Sequence, residues 1–352
     1  MIKLIRKKTK VIKVGNVLIG GDNPVSIQSM TNTLTKDIDS TVNQIKKLEN
    51  AGCDIIRSAI TDLEDAKAIK EIKKEINIPI IADIQYDYKL ALDSIKYGID
   101  GLRLNPGNIG SLDKVREVVK ACKESGISIR VGVNAGSLKK EFLEKYNGVN
   151  EDSMVYSALE QIRLLEDMNF YDIKISLKAS NVPLTIKAYE KMSQMVDYPL
   201  HLGITEAGPI WRGTIKSSVG IGALLSMGIG DTVRISLTGD PVEEIKVGRE
   251  ILKSLNILNE GLEIISCPTC GRTNIDLINI VEEAEKRLEG INKHIKVAIM
   301  GCAVNGPGEA READIGIAGG NGEGLIFRKG EIIKKVKEEN LLDELLKEIE
   351  KL

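Results

Sequence analysis

The chain is poor in aromatic residues and cysteine, and it has no long apolar run. Phe, Trp and Tyr make up 3% of its 352 residues, which leaves few platforms on which single-stranded nucleic acid could stack. The 49 basic and 51 acidic residues nearly cancel, which argues against a nucleic-acid coat. No apolar run approaches the roughly 20 residues that span a bilayer, and the basic N-terminus lacks the apolar core of a secretory signal. An odd count of five cysteines fits a reducing compartment, so we expect a cytoplasmic protein with no nucleic-acid or membrane partner.

Short stretches rich in Ile and Val alternate with stretches of helical periodicity from residue 25 to about residue 256. Eight strand candidates lie in this region, at 25–30, 54–60, 78–84, 101–107, 128–136, 172–180, 199–208 and 231–240. Eight β-α units over about 230 residues match a (β/α)8 TIM barrel of the α/β class. We predict this barrel for residues 1–257, with a β-hairpin at 11–20 before it. A doubly wound sheet could hold eight strands too, but no G-x-G-x-x-G motif opens the first unit.

The alternation of strand and helix patterns ends near residue 257, and a different sequence pattern follows. The motif CPTCGR at 267–272 is followed by an amphipathic helix near 276–289, a strand at 294–301 and a glycine-rich run at 316–324. The last segment places Leu341, Leu345 and Ile349 on one helical face, which is typical of a packing helix. We predict a small α+β domain over residues 258–352.

Charged residues interrupt the predicted barrel strands at positions that share one face. Residues two apart in a strand point the same way, and polar residues in strands covered by helices point into the barrel. Four arginines and two lysines occupy such positions: Arg57, Arg103, Arg130, Arg234, Lys174 and Lys178. An unpaired buried charge costs several kcal/mol, and Asp83 and Glu206 cannot balance this set. Internal salt bridges, or arginines that extend between the outer helices, would explain the pattern. We favour a site that binds phosphate or diphosphate through arginine forks at the carboxyl ends of the strands.

Three cysteines form a candidate metal site. Cys267 and Cys270 share a C-x-x-C turn, and Cys302 would add a third thiolate. A zinc ribbon needs one more ligand, and His294, just before a predicted strand, is expected to be a core residue. Glu309 follows Cys302 by seven residues, across an Asn-Gly-Pro-Gly turn that could fold it back. A carboxylate on an otherwise thiolate-bound iron is easily displaced. The spacing alone also permits a structural metal clip.

These motifs carry a resemblance that covers nearly the whole chain. CPTCGR (267–272) and GCAVNGPGE (301–309) resemble the cluster domain of the bacterial 4-hydroxy-3-methylbut-2-en-1-yl diphosphate synthase family, in its two-domain form. The barrel segments LRLNPGNIG (102–110), RVGVNAGSL (130–138) and HLGITEAG (201–208) agree with that family. One position departs from the family's usual A-D-I-H-F-D-Y, because this chain reads ADIQYDY at 82–88. Gln85 keeps hydrogen-bonding capacity there but cannot act as an acid near neutral pH.

The resemblance implies a reaction, a cofactor and partners. The family performs the reductive ring opening and dehydration of 2-C-methyl-D-erythritol 2,4-cyclodiphosphate to 4-hydroxy-3-methylbut-2-enyl diphosphate, in the non-mevalonate (MEP) isoprenoid pathway. It implies a [4Fe-4S] cluster on Cys267, Cys270, Cys302 and Glu309, a flavodoxin or ferredoxin as electron donor, and a homodimer.

The resemblance also implies the roles of individual residues. Substrate-binding roles fall on Arg57, Asp83, Arg103, Arg130, Asn134, Lys178, Arg234 and Ser236. Glu206 is the candidate that protonates the departing oxygen, and Glu309 is expected to be catalytic as well as a cluster ligand.

Two other functions compete with this one. The first is a barrel lyase or transferase that acts on a phosphorylated substrate and carries a structural zinc site. The second is an electron carrier without catalysis, which would have no use for a phosphate-binding barrel mouth. The lack of a fourth Cys or His ligand argues against zinc.

Overall fold

A computed structural model describes residues 4–288, 293–302 and 312–352 of the chain. The chain divides into two units, residues 1–258 and 259–352. In the described ranges, no helix is both long enough and apolar enough to cross a bilayer.

A β-hairpin precedes the barrel, as the sequence predicts. Its strands are β1 (Ile12–Val14) and β2 (Val17–Ile19), which pair antiparallel. Gly15 turns between them with a left-handed φ of 57°, and a Cβ there would lie 2.6 Å from Cβ of Pro79. Side chains of the hairpin pack with Ile55 and Ile81, which lie near the amino ends of barrel strands. The hairpin therefore covers the amino end of the barrel.

Eight parallel strands build the first unit, which confirms the predicted TIM barrel. They are β3 (Ser26–Met30), β4 (Ile55–Ala59), β5 (Ile80–Asp83), β6 (Gly101–Arg103), β7 (Ser128–Asn134), β8 (Ile173–Lys178), β9 (His201–Leu202) and β10 (Thr232–Val233). They pair in the order β8-β7-β6-β5-β4-β3-β10-β9. A parallel bridge between Ile175 and Leu200 joins β8 to the segment that leads into β9, so the sheet closes on itself.

Helices follow the strands and cover the outside of the barrel. They are α1 (Ile38–Asn50), α2 (Leu63–Glu75), α3 (Tyr88–Lys96), α4 (Leu112–Ser125), α5 (Lys140–Lys145), α6 (Glu151–Glu166), α7 (Val182–Met195), α8 (Ile210–Ser226) and α9 (Pro241–Ser254). Six of them begin after an Asp or Asn whose side chain accepts a backbone N–H of the first turn, which satisfies a donor that the helix leaves unpaired. Their buried apolar side chains pack on the outward residues of the strands in one continuous core.

The last two barrel strands are much shorter than the sequence predicts. The predicted strands 199–208 and 231–240 end at Leu202 and Val233. At the next position, Gly203, a Cβ would lie 2.5 Å from Nζ of Lys178 and 2.7 Å from the carbonyl oxygen of Arg234. Only glycine therefore fits beside this inward lysine, and the two segments continue as loops at the carboxyl end of the barrel.

Within its described residues, the second unit is a five-stranded sheet with two α-helices. Its strands are β11 (Leu262–Ser266), β12 (Ile295–Met300), β13 (Ile315–Gly319), β14 (Glu323–Arg328) and β15 (Glu331–Lys337), in that spatial order. The pairs β11–β12 and β12–β13 are parallel, and the other two are antiparallel. Helix α10 (Leu277–Arg287) connects β11 to β12, and α11 (Leu341–Ile349) follows β15. Leu341, Leu345 and Ile349 of α11 are buried in the core of this unit, as expected of a packing helix.

Candidate active site

The inner face of the barrel is cationic, whereas a TIM barrel is ordinarily filled by Val, Ile and Leu. On β8, Ile173, Ile175 and Leu177 pack in the outer core. Residues two apart share a face, so Lys174 and Lys178 point inward. Six inward cations form what we call the cationic cluster: Arg57, Arg103, Arg130, Lys174, Lys178 and Arg234. The structure therefore brings together the six basic residues that the sequence singles out.

Asp83, at the end of β5, contacts two arginines of the cationic cluster. Its Oδ1 accepts a hydrogen bond from Nη1 of Arg103 at 3.2 Å, and its Oδ2 lies 3.7 Å from Nε of Arg57. Nη1 of Arg103 also lies 3.4 Å from Oε1 of Gln85. Gln85, which replaces the family histidine, thus offers an acceptor to Arg103.

Glycines make room for the long basic side chains. A Cβ on Gly132 of β7 would lie 3.4 Å from Nε of Arg103 and 3.0 Å from Oγ of Ser176. Asn105 fixes the backbone at this point, because its Oδ1 accepts the Gly132 N–H at 3.0 Å. A side chain at 203 would displace Lys178, whereas one at 132 would press on Ser176 and come into van der Waals contact with Arg103.

Glu244 is a functional candidate that the sequence reasoning missed. It lies in the first turn of α9, is buried, and accepts hydrogen bonds from Oγ of Ser29 at 3.1 Å and from N of Leu237 at 3.0 Å. Its negative charge acts on Arg57 and Lys178. An acidic residue in the first turn of a helix usually interacts favourably with the helix dipole. The sequence therefore gives no sign that Glu244 also acts on the cationic cluster. Glu206, which the sequence places beside the cations, is exposed.

Burial is the first cause that shifts the pKa values of the cationic cluster, and repulsion between its members adds to it. Together they lower the pKa of Arg57 to about 9 and that of Lys174 to about 7. The pKa values of Arg130 and Lys178 lie well below their ordinary values. Six cations face two carboxylates, Asp83 and Glu244. The site therefore favours an anion, whose charge would reverse these shifts.

Asn134 lies at the carboxyl end of β7, and Ser236 lies in the loop that follows β10. Asn134 ends β7 and is the register partner of Lys178 on β8. Ser236 is two residues beyond Arg234, and both side chains are half-buried. Both residues border the cationic cluster along the chain and can offer neutral polar groups to a bound anion.

Glu206 lies in the loop after β9 and has a left-handed φ of 52°. This conformation costs a residue with a Cβ about 1–2 kcal/mol and is often found at functional sites. The loop is tied to the end of β8 by a hydrogen bond from N of Thr205 to the carbonyl oxygen of Ala179, at 3.3 Å. Among the described residues, no hydrogen bond or ion pair links Glu206 to the cationic cluster.

The second unit places its thiols at the carboxyl edge of two parallel strands. Cys267 directly follows β11, and Cys302 comes two residues after β12. N of Gly301 donates to Sγ of Cys267 at 3.2 Å, and N of Asn274 donates to the carbonyl oxygen of Gly301 at 3.0 Å. The C-x-x-C loop therefore folds against the residue that precedes Cys302.

The donor chemistry of this edge fits an iron–sulfur cluster. The exposed Cys270 has a lowered pKa, because the backbone N–H of Arg272 hydrogen-bonds its sulfur. Backbone N–H groups directed at sulfur stabilise thiolates and tune such clusters. The predicted fourth ligand, Glu309, lies outside the described residues. Within the described ranges, no three His, Cys, Asp or Glu side chains are arranged to hold a single metal ion.

His294 cannot complete a zinc site with these cysteines. It precedes β12, whereas Cys302 follows that strand, and six residues of strand span about 20 Å. The prediction that His294 is a core residue is also wrong, because its side chain is exposed. The charged Lys293 before it is exposed too, and apolar packing begins only with Ile295.

Two domain models of one protein family match most of the chain. Residues 9–249 match the GcpE TIM-barrel domain, and residues 263–351 match the GcpE protein C-terminal domain. The chain belongs to the GcpE family. It is 65% identical to a protein of Clostridium perfringens over 98% of this chain and 99% of that protein. It is 64% identical to a protein of Caldanaerobacter subterraneus over 100% and 99%. Both GcpE relatives are named 4-hydroxy-3-methylbut-2-en-1-yl diphosphate synthase (flavodoxin).

Solved structures resemble the GcpE barrel in fold. Dihydropteroate synthase of Yersinia pestis superimposes with a TM-score of 0.51, over 70% of this chain and 98% of that one, at 10% identity. An aldolase of Thermotoga maritima, phospho-2-dehydro-3-deoxyheptonate aldolase, gives a TM-score of 0.50 over 71% of this chain and 73% of that one, at 10% identity. At this identity the likeness shows a shared barrel and nothing about the reaction.

Proposed function

We propose that the chain is a 4-hydroxy-3-methylbut-2-en-1-yl diphosphate synthase of the MEP pathway. It would open the ring of 2-C-methyl-D-erythritol 2,4-cyclodiphosphate with two electrons, remove water, and release (E)-4-hydroxy-3-methylbut-2-enyl diphosphate. The cationic cluster carries this proposal, because six basic residues in the barrel interior, four of them buried, face only two carboxylates. That excess of positive charge suits a ligand with two phosphoryl groups.

The arginines bind the phosphoryl oxygens of the substrate. A guanidinium can donate two parallel hydrogen bonds to one phosphate, which fixes orientation as well as affinity. Arg57, Arg103, Arg130, Arg234 and Lys178 would supply these contacts, and Asp83, Asn134 and Ser236 would orient them. Because Asp83 already contacts Arg57 and Arg103, two of the guanidiniums are positioned before the ligand arrives.

Cys267, Cys270, Cys302 and Glu309 would hold a [4Fe-4S] cluster. The hydrogen bond to Sγ of Cys267 and the lowered pKa of Cys270 support thiolate ligation. The cluster would supply electrons one at a time and a Lewis-acidic iron. The name of these relatives points to flavodoxin as the electron donor, and a ferredoxin could serve in the same role.

Glu206 would give a proton to the oxygen that leaves as water. A positioned carboxylic acid typically contributes 10²- to 10⁴-fold to such a step. The left-handed backbone at Glu206 supports this role, because the loop holds a strained conformation that a glycine would adopt without cost.

Metal analysis and turnover test the proposal together. Protein purified without oxygen should contain roughly four iron and four sulfide per chain, and should convert the cyclic diphosphate with reduced flavodoxin. Glu309→Ala should lower turnover and change the electron paramagnetic resonance spectrum of the reduced cluster, whereas the exposed Glu312→Ala should match the wild type. Stoichiometric zinc without sulfide would overturn the proposal in favour of a barrel lyase or transferase.

We also propose that the enzyme is a cytoplasmic homodimer. Helix α8 supports an interface with a second copy, because Trp211, Ile215 and Val219 recur every four residues and are all exposed. Trp211 alone is 78% exposed. Light scattering after gel filtration should give twice the chain mass for the wild type. Trp211→Ser should weaken the dimer, whereas exposed Met195→Ser on α7 should not.

A further inference from the structure

Lys174 lies in the amino-terminal half of β8, in register with Arg130 of β7 and deeper in the barrel than Lys178. It is the second residue of β8, and Lys178 lies on the same face four residues later, about 13 Å further along the strand. Lys174 is 1% exposed, and its Nζ has no hydrogen-bond partner among the described residues. A buried ammonium without a partner is costly, so the geometry favours the neutral amine.

The groups around Lys174 make a charge there still less favourable. Those that act on it or lie beside it are Arg130 on β7, Arg57 on β4, His201 on β9 and Lys178 on β8 itself. The rest of the interior adds Arg103, Arg234, Asp83 and Glu244. From the helices outside β8, Tyr189 of α7 bonds to the strand backbone through its hydroxyl. Burial and the neighbouring cations lower the pKa of Lys174 to about 7.

The two carboxylates of the interior are already engaged. Asp83 contacts Arg103 and Arg57, and Glu244 accepts from Ser29 and from the backbone of Leu237. A further anion must therefore come from outside if Lys174 is to be charged.

We propose that Lys174 is a neutral amine in the free barrel and takes up one proton from solvent when an anionic diphosphate binds above it. The ligand's negative charge offsets the field of the surrounding arginines, so the ammonium form becomes the stable one. The step makes one N–H bond at Nζ and needs no oxidant or reductant. Lys174 acts through the field rather than by contact, which makes it a positioning residue. The inference rests on the proposed function, because it needs a polyanion at the barrel mouth.

Proton uptake gives the proposal a direct readout. Binding of 2-C-methyl-D-erythritol 2,4-cyclodiphosphate to the cluster-loaded protein, without reductant, is measured by calorimetry at pH 8 in buffers of different ionisation enthalpy. The slope against ionisation enthalpy should show uptake of roughly 0.5–1 proton per site. At pH 6 the slope should fall to near zero, because the free amine is then already protonated. Between pH 7 and pH 9 the affinity should weaken by up to about tenfold per pH unit.

Two substitutions assign the proton to Lys174. Lys174→Met should abolish the uptake and flatten the pH dependence of affinity, with binding at pH 6 weaker by at least tenfold. Lys174→Arg, which stays charged, should also abolish the uptake while it keeps the affinity. The matched control is Lys187→Met, an exposed lysine on α7, which should leave the uptake unchanged. Because Lys174→Arg adds bulk to the interior, Lys174→Met decides alone if the arginine variant does not fold.

The remaining outcomes each overturn a definite statement. If proton uptake persists in Lys174→Met but is lost in His201→Gln or Lys178→Met, then His201 or Lys178 takes up the proton. The assignment to Lys174 would then be wrong. If the wild type binds the cyclic diphosphate with an enthalpy that does not depend on the buffer at pH 8, no proton is taken up. This inference would then be wrong, and the proposed function would be unaffected. If the wild type does not bind the cyclic diphosphate at all, the proposed function fails, and this inference fails with it.

Discussion

Both units of the chain place their reactive groups at the carboxyl ends of parallel strands, but they hold those groups in different ways. The barrel carries six basic residues on its strands or directly after them, and four of the six are buried. The smaller unit carries Cys267 directly after a strand, Cys302 two residues after the next, and Cys270 in an exposed turn.

This difference separates a site built by packing from a site that needs its cofactor. In the barrel, the basic side chains extend from the strands or from the residue directly after a strand, and Gly203 leaves room for Lys178. The site therefore exists without a ligand and bears the repulsion between its charges. At the thiol edge, the bonds from Gly301 to Cys267 and from Asn274 to Gly301 bring the loops together. A bound cluster would add the missing cross-links there, since metal binding and local folding are coupled.

The strongest test of this comparison removes one thiol. Cys302→Ser should abolish cluster retention and turnover, because a protonated hydroxyl is a poor substitute for a thiolate on iron. Binding of the cyclic diphosphate should persist, because the barrel site is independent of the cofactor. Iron, sulfide and turnover assays check the first statement, and calorimetry checks the second. Cys122→Ala, a buried cysteine of the barrel helix α4, is the control and should retain its cluster.

Glu206→Gln should have the next largest effect. We expect kcat to fall by about 10²- to 10⁴-fold with little change in KM, because the amide keeps the size of the side chain but cannot donate the proton. Steady-state kinetics with reduced flavodoxin measures both constants. Glu190→Gln, an exposed carboxylate on α7, should leave both unchanged. A Glu206→Gln enzyme with normal kcat would assign the proton to water or to another group.

The barrel could be predicted from sequence because its signals are local. Each signal lies within one predicted strand: the periodicity of apolar residues, and the even spacing that puts Arg103 and Asn105 on one face, and likewise Lys174 and Lys178. What failed depends on contacts between distant segments. The close approach of Lys178 to Gly203 and the contact of Glu244 with Ser29 both join distant parts of the chain. Neither contact has a signature in one strand or one helix.

The thiol site was less predictable in its geometry than in its chemistry. Spacing alone predicts the C-x-x-C pair and Cys302 as ligands, which stays a prediction, and it could not place His294, which lies at the opposite end of β12 from Cys302. The left-handed φ of Glu206 was also invisible, because nothing in a single sequence distinguishes a strained glutamate from a relaxed one.

Loss of one arginine should weaken the barrel site without dismantling it. Arg130→Ala or Arg234→Ala should each reduce affinity for the cyclic diphosphate by about 1.5–3 kcal/mol, the range for a hydrogen bond to a charged group. Calorimetry without reductant measures this, and cluster content should stay normal. Arg116→Ala, an exposed arginine on α4, should bind as the wild type does. Unchanged affinity in both site variants would contradict the phosphate-binding role of the cationic cluster.

A site built by packing should also cost stability, and Lys174 offers the cleanest measure of that cost. Lys174→Met should raise the free energy of unfolding of the ligand-free protein by about 1–2 kcal/mol at pH 7, because it removes a buried unpaired amine. The pKa of Lys174 is about 7 in the folded chain and ordinarily 10.5, so the unfolded chain binds more protons between these values. Stability of the wild type should therefore rise with pH across this window, and the advantage of Lys174→Met should shrink. Urea unfolding at pH 7, 8.5 and 10 checks this, with Lys187→Met as the reference. An advantage that stays constant across the three pH values would show that Lys174 is already paired and charged in the folded barrel.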